Sequence, residues 1–546
     1  NKPGGCRICS VEVAGRRNLA PACATEATAG MDIKTHTMRV LNARRTVMEF
    51  ILSDHPKECL TCVKNGRCDL QTMAHTLGVR EIPNEAIYSM STYRQDTSPS
   101  IIRNMDKCIM CRRCETMCND VQTVGALSAI NRGFEAVVST AFEMNLEQSP
   151  CTYCGQCVAV CPTAALTEVD HTNTLIKALA DPKKTVIVQT APAVRAALGE
   201  EFGLEPGTLV TGKMVAALRS LGFNYVFDTD WAADVTIMEE GTELLDRLTR
   251  HMNGDQTVKL PILTSCCPGW VNFFETNFPE LKDIPSTARS PQQIFGALAK
   301  TYFADKIGKS REELVVVSIM PCVAKKYEAQ RDEFKTNGNP DVDFSLTTRE
   351  LAQLIKQSNL DLKTLEDEEF DNPLGESTGA GVIFGVTGGV IEAAARTAYE
   401  VFTGKTLPRV EFEALRGMDG IRSATVDFNG TPINIGIAHG LGNARKLLDD
   451  VKAGNSQFHA IEIMACPGGC IGGGGQPQHH GDSEILKKRA LAIYSEDESK
   501  VIRKSHENPS VIALYRDFLG KPNSHKAHEL LHTHYFDKRK HRNIEE

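Results

Sequence analysis

Cysteine placement carries the chemistry of this chain. Nineteen of its 546 residues are cysteine, fourteen of them between Cys6 and Cys161. The crowded ones stand two or three residues apart, which suits shared ligation of one metal cluster better than disulfides to distant partners. A reducing, intracellular setting follows, and the expected location is cytoplasmic. The other five fall in three loops: Thr264-Ser265-Cys266-Cys267-Pro268-Gly269-Trp270, Met320-Pro321-Cys322-Val323-Ala324-Lys325-Lys326-Tyr327-Glu328, and Ala465-Cys466-Pro467-Gly468-Gly469-Cys470. The last runs into Gly472 to Gly475, where main chain without Cβ would let a bulky inorganic cluster press close. The plain alternative is a flexible glycine loop with two buried cysteines.

Within the crowded region, Cys108, Cys111, Cys114 and Cys118 repeat as Cys151, Cys154, Cys157 and Cys161-Pro162. Both copies have the bacterial ferredoxin spacing, in which the fourth cysteine of each run ligates the other cluster. The expected sets are therefore Cys108, Cys111, Cys114 with Cys161, and Cys151, Cys154, Cys157 with Cys118, each holding a [4Fe-4S] cluster; a zinc ribbon is the alternative. Upstream, His55, Cys59, Cys62 and Cys68 resemble the His-ligated [4Fe-4S] site shared by certain hydrogenases and the large iron-sulfur subunit of NADH dehydrogenases. Cys6, Cys9 and Cys23 resemble a plant-type [2Fe-2S] ferredoxin lacking its first ligand; either residues upstream of Asn1 supply it or the site is empty. A zinc site with an unseen fourth ligand stays open there.

Beyond about residue 170 the pattern changes to apolar, β-branched runs alternating with helical stretches. Thr185 to Gln189, Tyr225 to Asp228, Leu314 to Ile319 and Phe458 to Ile463 read as strands, Ala193 to Leu198 and Ala232 to Arg250 as helices. Such alternation predicts an α/β domain with parallel sheet content. Cys322 and Cys466 each follow the end of a strand, where open α/β sheets place their sites.

In this order, the three later cysteine loops resemble the signature segments of the catalytic domain of [FeFe]-hydrogenases, and the resemblance extends from residue 1 to about residue 535. It implies an α/β catalytic domain of two lobes around the active-site cluster, preceded by ferredoxin-like α+β iron-sulfur domains. The implied activity is reversible oxidation of H2 to protons and electrons, the electrons relayed through the N-terminal clusters to partner subunits. The family's ligands map onto Cys267, Cys322, Cys466 and Cys470 for one further [4Fe-4S] cluster. Cys470 would also bridge to a two-iron subcluster carrying CO, cyanide and a dithiolate. Cys266 would pass protons, with Glu240, Ser286, Glu243 and Arg247 continuing the path. Lys325 matches a lysine that hydrogen-bonds a cyanide; Met320, Met464, Pro192, Pro291 and Gln292 match other pocket residues. Read without the resemblance, Cys266 is a small buried hydrophobe, the methionines are core filling, and Glu240 and Glu243 are surface carboxylates.

The expected domains are a partial [2Fe-2S] domain over 1–45, a His-ligated [4Fe-4S] domain over 46–85, a two-cluster domain over 86–170, and the catalytic domain with a C-terminal tail over 171–546. Three [4Fe-4S] clusters and one [2Fe-2S] cluster would thus accompany the catalytic cluster. Lys plus Arg number 61 against 69 for Asp plus Glu, a net charge of −8 without a long basic run, which speaks against nucleic acid. No apolar run reaches the ~18 residues of a membrane span. Gly379-Ala380-Gly381 has the wrong spacing for a dinucleotide fingerprint. Flavin and NAD(P) are therefore expected on partner subunits; the resemblance also admits ferredoxin, or formate dehydrogenase with ferredoxin-like subunits, as partner. The competing readings are a non-catalytic hydrogenase-like protein of iron-sulfur assembly, a purely electron-transferring subunit, and an H2-sensing relative. The C-terminal stretch from Leu530 to Tyr535 reads as a surface-packed tail, and more remotely as a metal site with the basic run after Lys538.

Overall fold

The computed structural model describes residues 4–83, 96–264 and 266–539. Ser265 and the tail from Lys540 lie outside these. The chain divides into two compact units, Asn1–Cys151 with Gln156–Val169, and Thr152–Gly155 with Asp170–Glu546.

The first unit is built from short elements between cysteine loops. Ser10–Val13 pairs antiparallel with both Ala20–Pro21 and Ile33–Lys34. Helix Met38–Ser53 follows, opened by Thr37, whose side chain accepts from the Val40 amide. Ile101–Arg103 pairs with Leu166–Glu168, so the two ends of the repeated cysteine region are stitched together. The repeat is visible in the backbone: Met110 and Arg112 in one run, and Tyr153 and Gly155 at the same offsets in the other, all have positive φ. Three of these four carry a Cβ and bear the strain of the left-handed region.

The second unit holds two four-stranded sheets. We label its strands β1 (Thr185–Thr190), β2 (Tyr225–Asp228), β3 (Ile262–Thr264), β4 (Leu314–Met320), β5 (Phe344–Thr347), β6 (Ile421–Asp427), β7 (Pro432–His439) and β8 (Ala460–Met464). One sheet has the order β5-β4-β1-β2 and is wholly parallel. Its central strand β4 is buried at every position, as a parallel strand covered on both faces requires. The other has the order β3-β8-β7-β6, parallel except for the antiparallel β6–β7 edge. Of the helices, α1 (Thr229–Met252) continues directly from β2, and Asp228 caps it by accepting from the Asp230 amide. Pro268–Asn277 forms α2, Pro291–Leu298 forms α3, and Gly389–Thr403 forms α4.

The strands expected from sequence are present, the last starting two residues late at Ala460. The helix expected over Ala193 to Leu198 is broken: Pro192–Arg195 makes one short turn, and a 3-10 stretch begins only at Leu198. Proline sets the start of that turn, but Ala197 has ψ −26 with φ −131, outside the helical range.

Candidate active site and metal centres

All three later cysteine loops lie beyond the C-terminal ends of parallel strands. Cys266 and Cys267 follow β3, and Cys267 stands at the N-cap of α2. Cys466 and Cys470 follow β8, the strand beside β3, so both loops leave the same edge of one sheet. Cys322 comes from the other sheet, two residues past β4. Burial raises the Cys466 and Cys322 thiols well above their ordinary range and Cys470 to about 12; the mutual proximity of these thiols and Cys267 adds to each. Buried thiols this crowded resist ionising, and a bound cation reverses that preference, which is the donor chemistry of an iron-sulfur site. Cys154 is also close enough to raise Cys466.

The glycine run is packed tightly against protein. A Cβ on Gly473 would lie 2.1 Å from the Pro321 carbonyl oxygen, and one on Gly475 2.8 Å from the Thr347 Cβ. The missing Cβ atoms leave room for protein main chain and side chain, including the loop that carries Cys322. The run is buried throughout, so it is no flexible loop either.

Lys325 links the loop of Cys266 to that of Cys322. Burial, then the nearby Cys470, pushes the Cys266 thiol well up, while the Lys325 charge works the other way. The Lys325 ammonium donates to the Cys266 carbonyl oxygen at 3.1 Å and to Glu328 at 2.8 Å. Burial opposes its charge, but the Glu328 carboxylate outweighs that and holds Lys325 above its usual range. Glu328 in turn accepts from Ser290 (2.9 Å) and from the Gln292 amide (2.8 Å). Gln292 also accepts from Ser318 at 2.7 Å, so its side chain is committed to fixing its neighbours. Met320 and Met464 end β4 and β8, and with Pro192 and Pro291 they are buried.

Glu240 and Glu243 lie on α1, neither of them a surface carboxylate: Glu240 is 4% exposed and the Glu243 side chain 14%. Burial, then the charges of Glu243 and Glu462, lifts Glu240 to about 8. Ser286 donates to Glu243 at 2.9 Å, the Thr287 amide to the same oxygen at 3.1 Å, and Arg247 to the other oxygen at 2.5 Å. Ser286, Glu243 and Arg247 thus form one hydrogen-bonded group, and Glu240 is linked to it by charge.

Three residues near this region escaped the sequence reading. Glu462 is a fully buried carboxylate in β8 that accepts from the Gly388 and Ile391 amides at the start of α4 (2.6 and 2.9 Å), and burial raises it to about 7. An acid within an apolar strand was the available signal. His532 and Tyr535 belong to the supposed surface tail. His532 is 8% exposed, its ring bonded to Thr287 at 2.8 Å and to Glu239 at 3.0 Å. Tyr535 donates to the Ser286 carbonyl oxygen at 2.5 Å. These bonds occupy both His532 nitrogens, which counts against the metal reading of the tail.

In the first unit, His55, Cys59, Cys62 and Cys68 line one cavity of about 320 Å³. Burial, then the Lys107 charge, lowers His55 to about 4, so its imidazole is neutral, and its Nδ1 is buried without a hydrogen-bond partner among the described residues. A neutral imidazole nitrogen and three thiols fit a metal cluster. Cys108, Cys111, Cys114 and Cys161 line a second small cavity, and burial followed by mutual proximity raises Cys114 far above its ordinary range. Cys6, Cys9 and Cys23 are gathered as well, the Cys23 amide donating to the Cys9 sulfur at 3.4 Å. Cys118, Cys151 and Cys157 fall in the first unit and Cys154 in the second. Among the described residues no helix is long and apolar enough to cross a membrane.

Comparison with known proteins agrees with this layout. Residues 184–474 match the C-terminal domain of the iron-only hydrogenase large subunit, and 483–538 the iron hydrogenase small subunit. Residues 2–38 match a 2Fe-2S cluster binding domain, 44–83 the iron-sulfur binding region of NADH-ubiquinone oxidoreductase G, and 98–167 the ferredoxin-like domain of NADH-quinone oxidoreductase subunit 3. The NADP-reducing hydrogenase subunit HndD of Solidesulfovibrio fructosivorans is 66% identical over 99% of this chain and 92% of its own length. Iron hydrogenase 1 of Clostridium pasteurianum is 39% identical over 97% of this chain and 92% of its own. A solved structure of the [FeFe]-hydrogenase HydA1 from Chlamydomonas reinhardtii aligns with a TM-score of 0.60 and 44% identity, covering 68% of this chain and 99% of that one. A catalytic domain, iron-sulfur domains that relay electrons, and likeness along nearly the whole chain place this protein in the iron-only hydrogenase family, whose members interconvert H2 with protons and electrons.

Proposed function

We propose that Cys267, Cys322, Cys466 and Cys470 hold one [4Fe-4S] cluster, and that Cys470 would also help to hold a diiron unit carrying CO, cyanide and a dithiolate. When bound, that unit supplies the open metal position at which H2 is made or split. The chain's own residues supply the rest. Cys266 gives and takes protons beside the site, and Glu240, Ser286, Glu243 and Arg247 carry them onward. Lys325 has two of its three N–H donors taken by Cys266 and Glu328, and the third would serve a cyanide of that unit. Met320, Met464, Pro192 and Pro291 wall the pocket against water, and Gln292 helps to fix Glu328. What carries the reading is the meeting of four cysteines from three strand-end loops beside a fifth whose carbonyl Lys325 holds.

The relay in this reading comprises three more [4Fe-4S] clusters and one [2Fe-2S] cluster. His55, Cys59, Cys62 and Cys68 hold the first; Cys108, Cys111, Cys114 and Cys161 the second; Cys151, Cys154, Cys157 and Cys118 the third. Cys6, Cys9 and Cys23 contribute to the [2Fe-2S] site. The domains divide near residues 45, 85 and 170. The enzyme works in the cytoplasm within a larger assembly. Likeness to a subunit of an NADP-reducing hydrogenase supports partners that bind flavin and NAD(P).

Infrared spectroscopy of the matured enzyme tests the central assignment, since CO and cyanide bands have no source in ordinary protein. Such bands are expected, and their absence from an active, matured preparation would overturn it.

A further inference from the structure

The His55 cavity is lined by a cluster of basic side chains that the ligand assignment does not use: Lys57, Lys64, Arg80 and Lys107, against a single acid, Glu58. Two of the lysines make specific contacts. The Lys107 ammonium donates to the Cys62 sulfur at 3.6 Å, and the buried Lys64 donates to the Cys161 carbonyl oxygen at 2.7 Å. Lys107 immediately precedes Cys108, and its own carbonyl accepts from Thr163 at 2.7 Å. It therefore touches a sulfur of one ligand set while its backbone is fixed beside the other.

We propose that Lys107 sets the reduction potential of the His55/Cys59/Cys62/Cys68 cluster and favours electron residence there; the inference rests on the ligand assignment above. Adding an electron to a thiolate-bound cluster increases its negative charge, so a cation beside a ligand sulfur stabilises the reduced form more than the oxidised one. The N–H···S contact acts in the same direction by withdrawing charge from sulfur, and both are recognised levers on cluster potential. The contact is only partly exposed, so solvent and salt screen it less than a surface pair. His55 adds to the effect, because a neutral imidazole replaces a fourth negative sulfur. Lys64 acts differently, since it donates to a backbone oxygen of the neighbouring set, while its charge also bears on Cys68.

The test is a redox titration of the holoenzyme followed by electron paramagnetic resonance. Pulsed measurement identifies this cluster among the others by the nitrogen hyperfine coupling of its imidazole ligand. Lys107→Met should shift the midpoint of the nitrogen-coupled signal downward, more than that of any other cluster, and Lys107→Arg should return it towards the wild-type value. Lys107→Gln keeps a donor without the charge, so it gives an intermediate shift and also serves if the methionine variant loads poorly. An unchanged midpoint in Lys107→Met or Lys107→Gln, with iron content and nitrogen coupling intact, would overturn the proposal. No nitrogen-coupled signal in the wild-type enzyme would overturn the ligand assignment, and the proposal with it.

Discussion

Tyr535 donates its hydroxyl to the Ser286 carbonyl oxygen at 2.5 Å, across 249 positions of sequence. This bond is one of several by which the C-terminal segment grips a single turn. The Thr533 amide donates to the Thr287 carbonyl oxygen at 2.7 Å, the Arg289 amide to the Leu531 carbonyl oxygen at 2.7 Å, and the His532 ring meets the Thr287 hydroxyl. The gripped turn is the one whose Ser286 hydroxyl donates to Glu243.

Tyr535→Phe removes only the hydroxyl, so the fold should survive at a cost of about 1 kcal/mol. Loosening the turn should still lower H2 turnover, by about tenfold to 10²-fold, the range that small misplacements reach. Glu243→Gln is the control. If Glu243→Gln is inactive while Tyr535→Phe turns over at the wild-type rate, the grip has no part in proton delivery.

Cys266→Ala separates a proton carrier from a packing residue. As a carrier, its loss should cut turnover by about 10² to 10⁴, the usual contribution of an acid-base group, with infrared bands and iron content near normal. A fully matured Cys266→Ala enzyme at wild-type activity would end the assignment and remove the reason for the Glu240 path.

Glu240 gives a pH dependence of definite sign. Its carboxyl moves from an ordinary 4.5 to about 8 on folding. Between those values the unfolded chain has released a proton that the folded chain keeps, so stability is fully present below 4.5 and is lost as pH rises through 8. Glu240→Gln cannot titrate there. Its stability relative to wild type should therefore improve between about pH 5 and about pH 9, as thermal unfolding would reveal. A pH-independent difference would show that the carboxyl is not held protonated.

Glu328 should matter for stability as well as for placing Lys325. Both side chains of the pair are nearly buried, 11% and 7% exposed. Glu328→Ala strands the ammonium and two further donors, and the expected loss is about 3 to 5 kcal/mol. Denaturant midpoints of the two proteins measure it, and a loss below about 1 kcal/mol would mean that other groups take over.

At the other end of the chain, His55→Cys exchanges a neutral ligand for an anionic one. The cluster potential should fall, because net charge is one of its determinants. Titration of a variant that still assembles the cluster decides the matter, and an unchanged potential would contradict the charge argument.

The cysteine spacing was legible from sequence alone because cluster ligation is largely local. Cys108 to Cys114 and Cys151 to Cys157 are the proposed ligand loops, whose geometry one short stretch of backbone decides, and the apolar strands that end at Met320 and Met464 fixed where the later loops must lie. Residue types and order were thus enough for the family, the α/β class and the candidate ligands. Burial and distant contacts were not legible. Nothing in the sequence around Glu240 distinguishes a carboxylate raised to about 8 from one in water; that depends on what packs against α1. Glu462 acquires its partners from a turn more than seventy residues earlier in the chain, and Lys107 meets Cys62 across 45 positions. The glycines after Cys470 look alike in sequence whether they face a cluster or a neighbouring loop, and only packing gave Gly473 its place against Pro321. Spacing along the chain determines which atoms can share a metal, but the charge, proton affinity and position of a side chain are set by neighbours that only the folded structure brings to it.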